Sequence, residues 1–185
     1  MANFALSNST GSGGGGVAQA ITTTYKTLAL SGASTTATGT VGGILKRGKV
    51  YDVLIGTAGT PADNVMQFDI VRCTYATSTA ITTGDSATSL FVSSLSSNFV
   101  LDLADGAPAA VLRINSSVET YLTAATELWD VGINQRASYR WVAAPGSEFV
   151  YPAASSGAGP NAIAVRALSP AYTGTATTTM LVNEL

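Results

Sequence analysis

Histidine is absent from this 185-residue chain, and cysteine occurs once. Without histidine the commonest general base and the commonest transition-metal ligand are missing, so Ser-His and Cys-His nucleophile pairs are excluded. A zinc site would have to be built mostly from carboxylates, far from the usual ligand sets. The single thiol, Cys73, cannot form an internal disulfide, and its place in the strand-like run 64–75 predicts a buried free cysteine. Charge is also scarce: 11% of residues are charged, against about 25% in a typical soluble domain. Nine basic residues against eleven acidic ones give a net charge of −2, which argues against broad nucleic-acid binding, since that needs a basic face to displace counterions from phosphates. No apolar run approaches the length of a membrane span. Residues 1–20 lack the basic start and continuous apolar stretch of a signal peptide, so the chain is expected to be made in a cytoplasm and not exported by the Sec route.

What is present in quantity is Ala, Thr, Ser and Gly, within a composition that is 46% hydrophobic. The length fits one domain, and a compact domain of this size buries roughly 70% of the surface that its unfolded chain exposes. A surface made of Thr and Ser rather than Lys and Glu suits dense, permanent packing beside other subunits.

Along the chain, short extended runs are separated by turn chemistry. Residues 1–20 read as a flexible arm, because the stretch SNSTGSGGGG at 7–16 carries high backbone entropy and few side chains to pack. Held in place, such an arm would be gripped by a neighbouring subunit, with Phe4, Leu6 and Val17 as its apolar anchors. Residues 21–185 then form a single β-sandwich domain. Its strands are expected near 22–30, 50–56, 65–75, 119–124, 127–133, 138–143, 149–151, 161–168 and 175–183, with the alternation at 65–75 placing Met66, Phe68 and Ile70 on the core face. The run TAGTPADN at 57–64 breaks the chain through Gly59 and Pro61. Residues 78–97 read as an irregular connection or weak strands. In LDLADGAPAAVLRI, 101–114, the Ala-rich centre and early Pro108 predict one short helix beginning near Asp105. About eight to ten strands suggest an all-β, jelly-roll-like sandwich; an immunoglobulin-like sandwich is the alternative, weakened by the lack of a Cys pair.

The densest segment is NQRASYRWVAAPGSEFVYP, 134–152. Tyr139 and Trp141 alternate with Ser138 and Arg140, which puts both rings on one face of a strand as a core wall. Pro145-Gly146 supplies the type II turn pattern before Glu148 to Tyr151 resumes in extended form. This run, with TPADN at 60–64 and SPAYTG at 169–174, resembles a family of small β-rich proteins encoded among the structural genes of tailed bacteriophages. The resemblance covers roughly residues 48–184 and its motifs carry no known catalytic residues. It implies a virion role, with a jelly-roll decoration or cement protein on the capsid as the better-understood type. It also implies the major capsid protein and further copies of this chain as partners, a homotrimer as the natural form, and the capsid surface as the location.

The remaining groups are read residue by residue. Lys46, Arg47 and Lys49 form the only basic cluster, which reads as a solvated turn or as a contact with an acidic neighbour. Carboxylate pairs such as Asp102 with Asp105, or Glu127 with Asp130, are the only formal route to glycoside hydrolysis, and they look like turn, helix-start or strand-edge residues. The spaced Asp/Asn/Gly loop of a calcium site is absent, and GSGGGG at 11–16 lacks the Lys-Ser/Thr ending of a phosphate loop. The expectation is therefore a structural protein with no catalytic residue, cofactor, metal, nucleic acid or membrane contact. A tail, collar or fibre-base component is the alternative. A host-glycan-binding module is a further one, and would need Tyr139 and Trp141 exposed in a groove.

Overall fold

The computed structural model describes residues 2–8, 19–33, 40–41, 44–45, 47–75, 101, 111–114, 122–152, 161–170 and 174–185. Every regular element among them is a β-strand, and all the pairings are antiparallel. The first sheet contains β1 (Ala2–Ser7), β2 (Gln19–Ile21), β6 (Gly48–Thr57), β10 (Tyr139–Val142), β11 (Phe149–Tyr151) and β13 (Gly174–Glu184). The second runs in the order β8 (Val111–Ile114), β3 (Lys26–Gly32), β12 (Asn161–Leu168), β7 (Val65–Tyr75) and β9 (Leu122–Asn134). A small hairpin joins β4 (Thr40–Val41) to β5 (Ile44–Leu45).

The first sheet is four columns wide, because two of its columns are each shared by two short strands. β1 pairs with Thr179 to Glu184 of β13 while β2 pairs with Gly174 to Ala176. On the far side of β6, β10 pairs with Asp52 to Ile55 and β11 with Gly48 to Val50. β13 and β6 lie side by side at the centre.

Period-two alternation explains which side chains enter the core. Along β13, Ala176, Thr178, Met180, Val182 and Glu184 are buried while the intervening residues are half-buried. Cross-strand partners share a face, so Leu6 and Phe4 of β1 join Met180 and Val182, and Val50, Val53 and Ile55 of β6 continue the same wall. From the second sheet Leu28, Met66, Phe68, Ile70, Ile163 and Val165 close the same core. β12 is central in its sheet and buried on both faces, which suits NAIAVRAL, where small Ala residues alternate with Ile and Val. Ala162 and Ala164 form a second buried cluster with Leu30, Val71 and Cys73 on the opposite face from Ile163 and Val165. Cys73 is thus a buried free thiol. One close approach within the first sheet demands glycine: a Cβ on Gly48 would collide with the ring and hydroxyl of its cross-strand partner Tyr151, and that hydroxyl reaches across to the second sheet, sharing a 3.0 Å hydrogen bond with Ser31.

Three expectations are corrected. The chain start is not a free arm over residues 2–7: it is an edge strand, and Phe4 (0% exposed) and Leu6 (2%) are spent in the chain's own core. Asn8 locks its end, its side chain accepting from the Thr178 amide at 2.6 Å and donating to the Ala176 carbonyl. No helix occurs among the described residues. Of the segment expected to be helical, Val111–Ile114 is strand β8 at the edge of the second sheet, where antiparallel pairing with Ala29 to Gly32 satisfies its backbone, and 102–110 lie outside the described residues. The wall formed by Tyr139 and Trp141 is only partly interior: Trp141 stacks on Phe149 at 4.3 Å against the core, while Tyr139, 39% exposed, leans on Trp129 at the sandwich edge.

Candidate functional site

The outer face of the first sheet carries its most distinctive surface, and cross-strand register orders it into rows. Thr177 of β13 pairs with Gly56 of β6, and Ser138, just before β10, stands on the other side of that glycine. The next row holds Ser7, Thr179, Leu54 and Arg140, and the one after it Leu181, Asp52 and Val142. This face is rich in hydroxyls, yet two apolar side chains project from it: Leu54 is 44% exposed and Val142 57%. One charge pair lies within the face: the Arg140 guanidinium grips both oxygens of the buried Asp52 carboxylate, with Nε contacts of 3.0 and 3.1 Å. That pairing raises the Arg140 value above its ordinary one.

At the loop end of this face lies an open cleft of about 340 Å³, with Leu54, Gly56, Pro61, Arg136, Ser138 and Thr177 in its lining. Its shape follows from a clasp between two distant segments. The Gln135 amide donates to the Asn64 carbonyl at 2.8 Å, the Ala62 amide donates to Gln135 Oε1 at 3.1 Å, and the Thr57 hydroxyl donates to the Gln135 carbonyl. Asn134 donates to the Asp63 carboxylate and receives the Arg136 amide on its own side-chain oxygen. The 57–64 loop turns at Gly59, whose φ of 81° suits glycine, and is tied to β13 through Ala58 and Thr175. Gly174 lies close enough to Gln135 that a Cβ there would stand 3.1 Å from its Nε2. The TPADN motif, the NQR start of the densest segment and the final glycine of SPAYTG thus meet at one end of the sandwich, around Gln135. That side chain is buried, and its Nε2 has no hydrogen-bond partner.

The residues singled out from the sequence do not gather here. Phe4 and Leu6 lie inside the core; Val17 and Lys46 are outside the described residues. Arg47 is exposed and its carbonyl accepts the Leu185 amide, and Lys49 is half-buried. Glu148 is held below its ordinary value, chiefly by backbone N–H groups, with Lys49 a smaller contributor. Glu127 and Asp130 are both exposed on β9, while Asp102 and Asp105 lie outside the described residues. No group of three or more potential metal ligands comes together among the described residues.

The cleft residues themselves left no local signal. Gly56, Ser138 and Thr177 come from three parts of the chain, and only the long-range register of β6 with β13 and β10 makes them neighbours. The available cue was that TPADN and NQR both carry short polar side chains suited to loop-to-loop hydrogen bonds. Comparison of the chain with family models, with curated proteins and with solved structures returned no match.

Proposed function

We propose that the chain is a non-enzymatic structural protein of a tailed-phage virion, a jelly-roll decoration or cement protein that attaches to the major capsid protein and stabilises the shell. The strand order carries this reading. Eight columns can be counted in chain order: β1 with β2, β3, β6, β7, β9, β10 with β11, β12 and β13. The first sheet then runs first, eighth, third, sixth, and the second runs second, seventh, fourth, fifth, with β8 added outside β3. First pairs with eighth, second with seventh, third with sixth and fourth with fifth. This order supports the reading as a jelly roll, the arrangement in which one long antiparallel hairpin is rolled into two sheets and which is found in viral capsid and lectin domains.

The composition of the outer face supports the same role. In the rows from Thr179 to Leu181, uncharged Thr and Ser with isolated exposed aliphatics and the paired Arg140 and Asp52 can be buried against a neighbour without stranding an unpaired charge, which is the costly step in burying a polar surface. Each Å² of apolar area so buried contributes roughly 25 cal/mol before ordering costs are subtracted. Repeated over a shell, modest contacts add up to resistance against internal pressure. The homotrimer follows from the resemblance and fits occupancy of threefold positions. Attachment would not run through Phe4 and Leu6, which the chain's own core already holds.

The test is to mix the purified protein with particles of its phage lacking it, then to measure co-sedimentation and survival on heating. Saturable binding that raises the rupture temperature is the expected result. Absence of binding would overturn the shell assignment and direct labelling experiments to the tail, collar and fibre base.

A further inference from the structure

We propose that the loop-end cleft on the first sheet is a binding site for a carboxylate-bearing sugar. Its floor is Gly56, where the missing side chain leaves room: a Cβ there would lie 3.6 Å from the Thr177 hydroxyl and 3.7 Å from the Ser138 Cβ. Two hydroxyl groups therefore flank an open floor. Leu54 and Pro61 supply apolar wall, and Arg136, exposed, is the one charged residue in the lining. Among the described residues, the Ser138 and Thr177 hydroxyls and the Arg136 guanidinium have no side-chain hydrogen bond or ion pair. The nearest acid in the adjoining loop, Asp63, is engaged by Asn134 and is not part of the lining.

This set of groups selects a ligand class. Hydroxyls that both donate and accept match the hydroxyls of a sugar ring, and an aliphatic wall suits the C–H face of the same ring. A lone guanidinium without a competing carboxylate favours an anion, and its planar fork fits a carboxylate through charge-assisted bonds. The cleft is also held in shape before any ligand arrives, because the Gln135 clasp fixes both loops that border it. Preorganisation of this kind reduces the ordering cost of binding. The inference does not rest on shell attachment, since the site is complete within one copy of the chain.

The experiment is a titration of the intact protein with D-glucuronate and D-galacturonate, and with D-glucose, D-galactose and glucose 6-phosphate, followed by amide shifts in NMR spectra. The expected result is saturable shifts at Gly56, Arg136, Ser138 and Thr177 with at least one of the two acids, at a Kd of about 1 mM, and binding weaker by about tenfold for its neutral parent. Gly56→Ala should abolish the shifts while leaving the melting temperature intact, because the added methyl meets its neighbours at ordinary contact distance yet fills the floor. Arg136→Gln should reduce binding of the acid to the level of its neutral parent. Shifts with neither acid, or binding that survives in Gly56→Ala, would overturn the site. Glucose 6-phosphate binding as tightly as the better acid would overturn the choice of a carboxylate.

Discussion

Asp69 is a carboxylate whose charge is opposed by burial. It is fully buried on β7, in a cross-strand row with Arg166 of β12 and Asp130 of β9. Arg166 Nε donates to it at 3.0 Å, and the Tyr25 ring covers the guanidinium at 4.3 Å. Burial pushes the Asp69 carboxyl above its ordinary value of 3.8; Arg166 pulls it down, and Glu127 and Asp130 add to the rise. The folded state therefore holds the proton to higher pH than the unfolded chain does. The stability tied to this proton is present in full below pH 3.8 and is lost as pH rises through the folded value, so Asp69 does not drive acid unfolding. A carbon-detected NMR titration should give a midpoint above 3.8 for this carboxyl, and a midpoint below it would refute the assignment. Removing the partner is a separate matter: Asp69→Ala takes the carboxylate that Nε and a terminal nitrogen of the largely buried Arg166 both grip, and should cost about 3–5 kcal/mol in urea unfolding at neutral pH.

Among the elements, β1 most changes the view of the molecule. Phe4-Ala5-Leu6 alternates as a strand should, yet it is three residues long in its apolar part and is followed by a Ser/Gly run. A local reading of composition therefore assigns it to a tail. Its partner is some 170 positions away in β13, as the Ser7 to Thr178 bond illustrates, and no local pattern reveals such a pairing. β7 was legible because its period-two alternation runs along an eleven-residue strand, and β6 because the apolar run VYDVLIG is followed by the turn chemistry of TAGTPADN. The Pro145-Gly146 turn was legible for a different reason: Gly146 takes the positive φ, 85°, that the dipeptide announces. VLRI was misread as helix because an Ala-rich run ahead of it favours helix locally, whereas the open edge of β3 offers it a ladder. Deleting residues 1–8 should therefore destabilise the body and not merely detach an appendage. Loss of Phe4 and Leu6 from the core should cost about 2–5 kcal/mol for each side chain, with the β13 edge and the Asn8 bonds lost besides. The urea midpoint of the truncated chain measures this, and an unchanged midpoint would restore the arm.

At the scale of the whole molecule, the two ends of the chain are bonded to each other: Asn3 and Asn183, 180 positions apart, share a side-chain hydrogen bond at 2.6 Å. β13 is the last strand in chain order among the described residues, and it is the one that joins the β1 and β2 column to β6 while supplying Ala176, Met180 and Val182 to the core. Local hairpins cannot build this sheet in advance, because its closure waits on the final strand and each non-local pairing must first overcome loop-closure entropy. Refolding from urea should accordingly be slow, about 1 s or longer, in the range of β-sandwich domains. A chain ending at residue 173 should lack the ordered aromatic signal of Trp129 and Trp141 in near-ultraviolet circular dichroism, and should be cut rapidly by protease. Native-like signal and resistance in that chain would show instead that the second sheet and its buried faces fold without the closing strand. For a subunit proposed to bear load on a shell, closure by the final strand has a mechanical consequence. On the proposed shell role, a chain lacking β13 loses the strand that joins the β1 and β2 column to β6, and with it the rows of the outer face that would make the contacts.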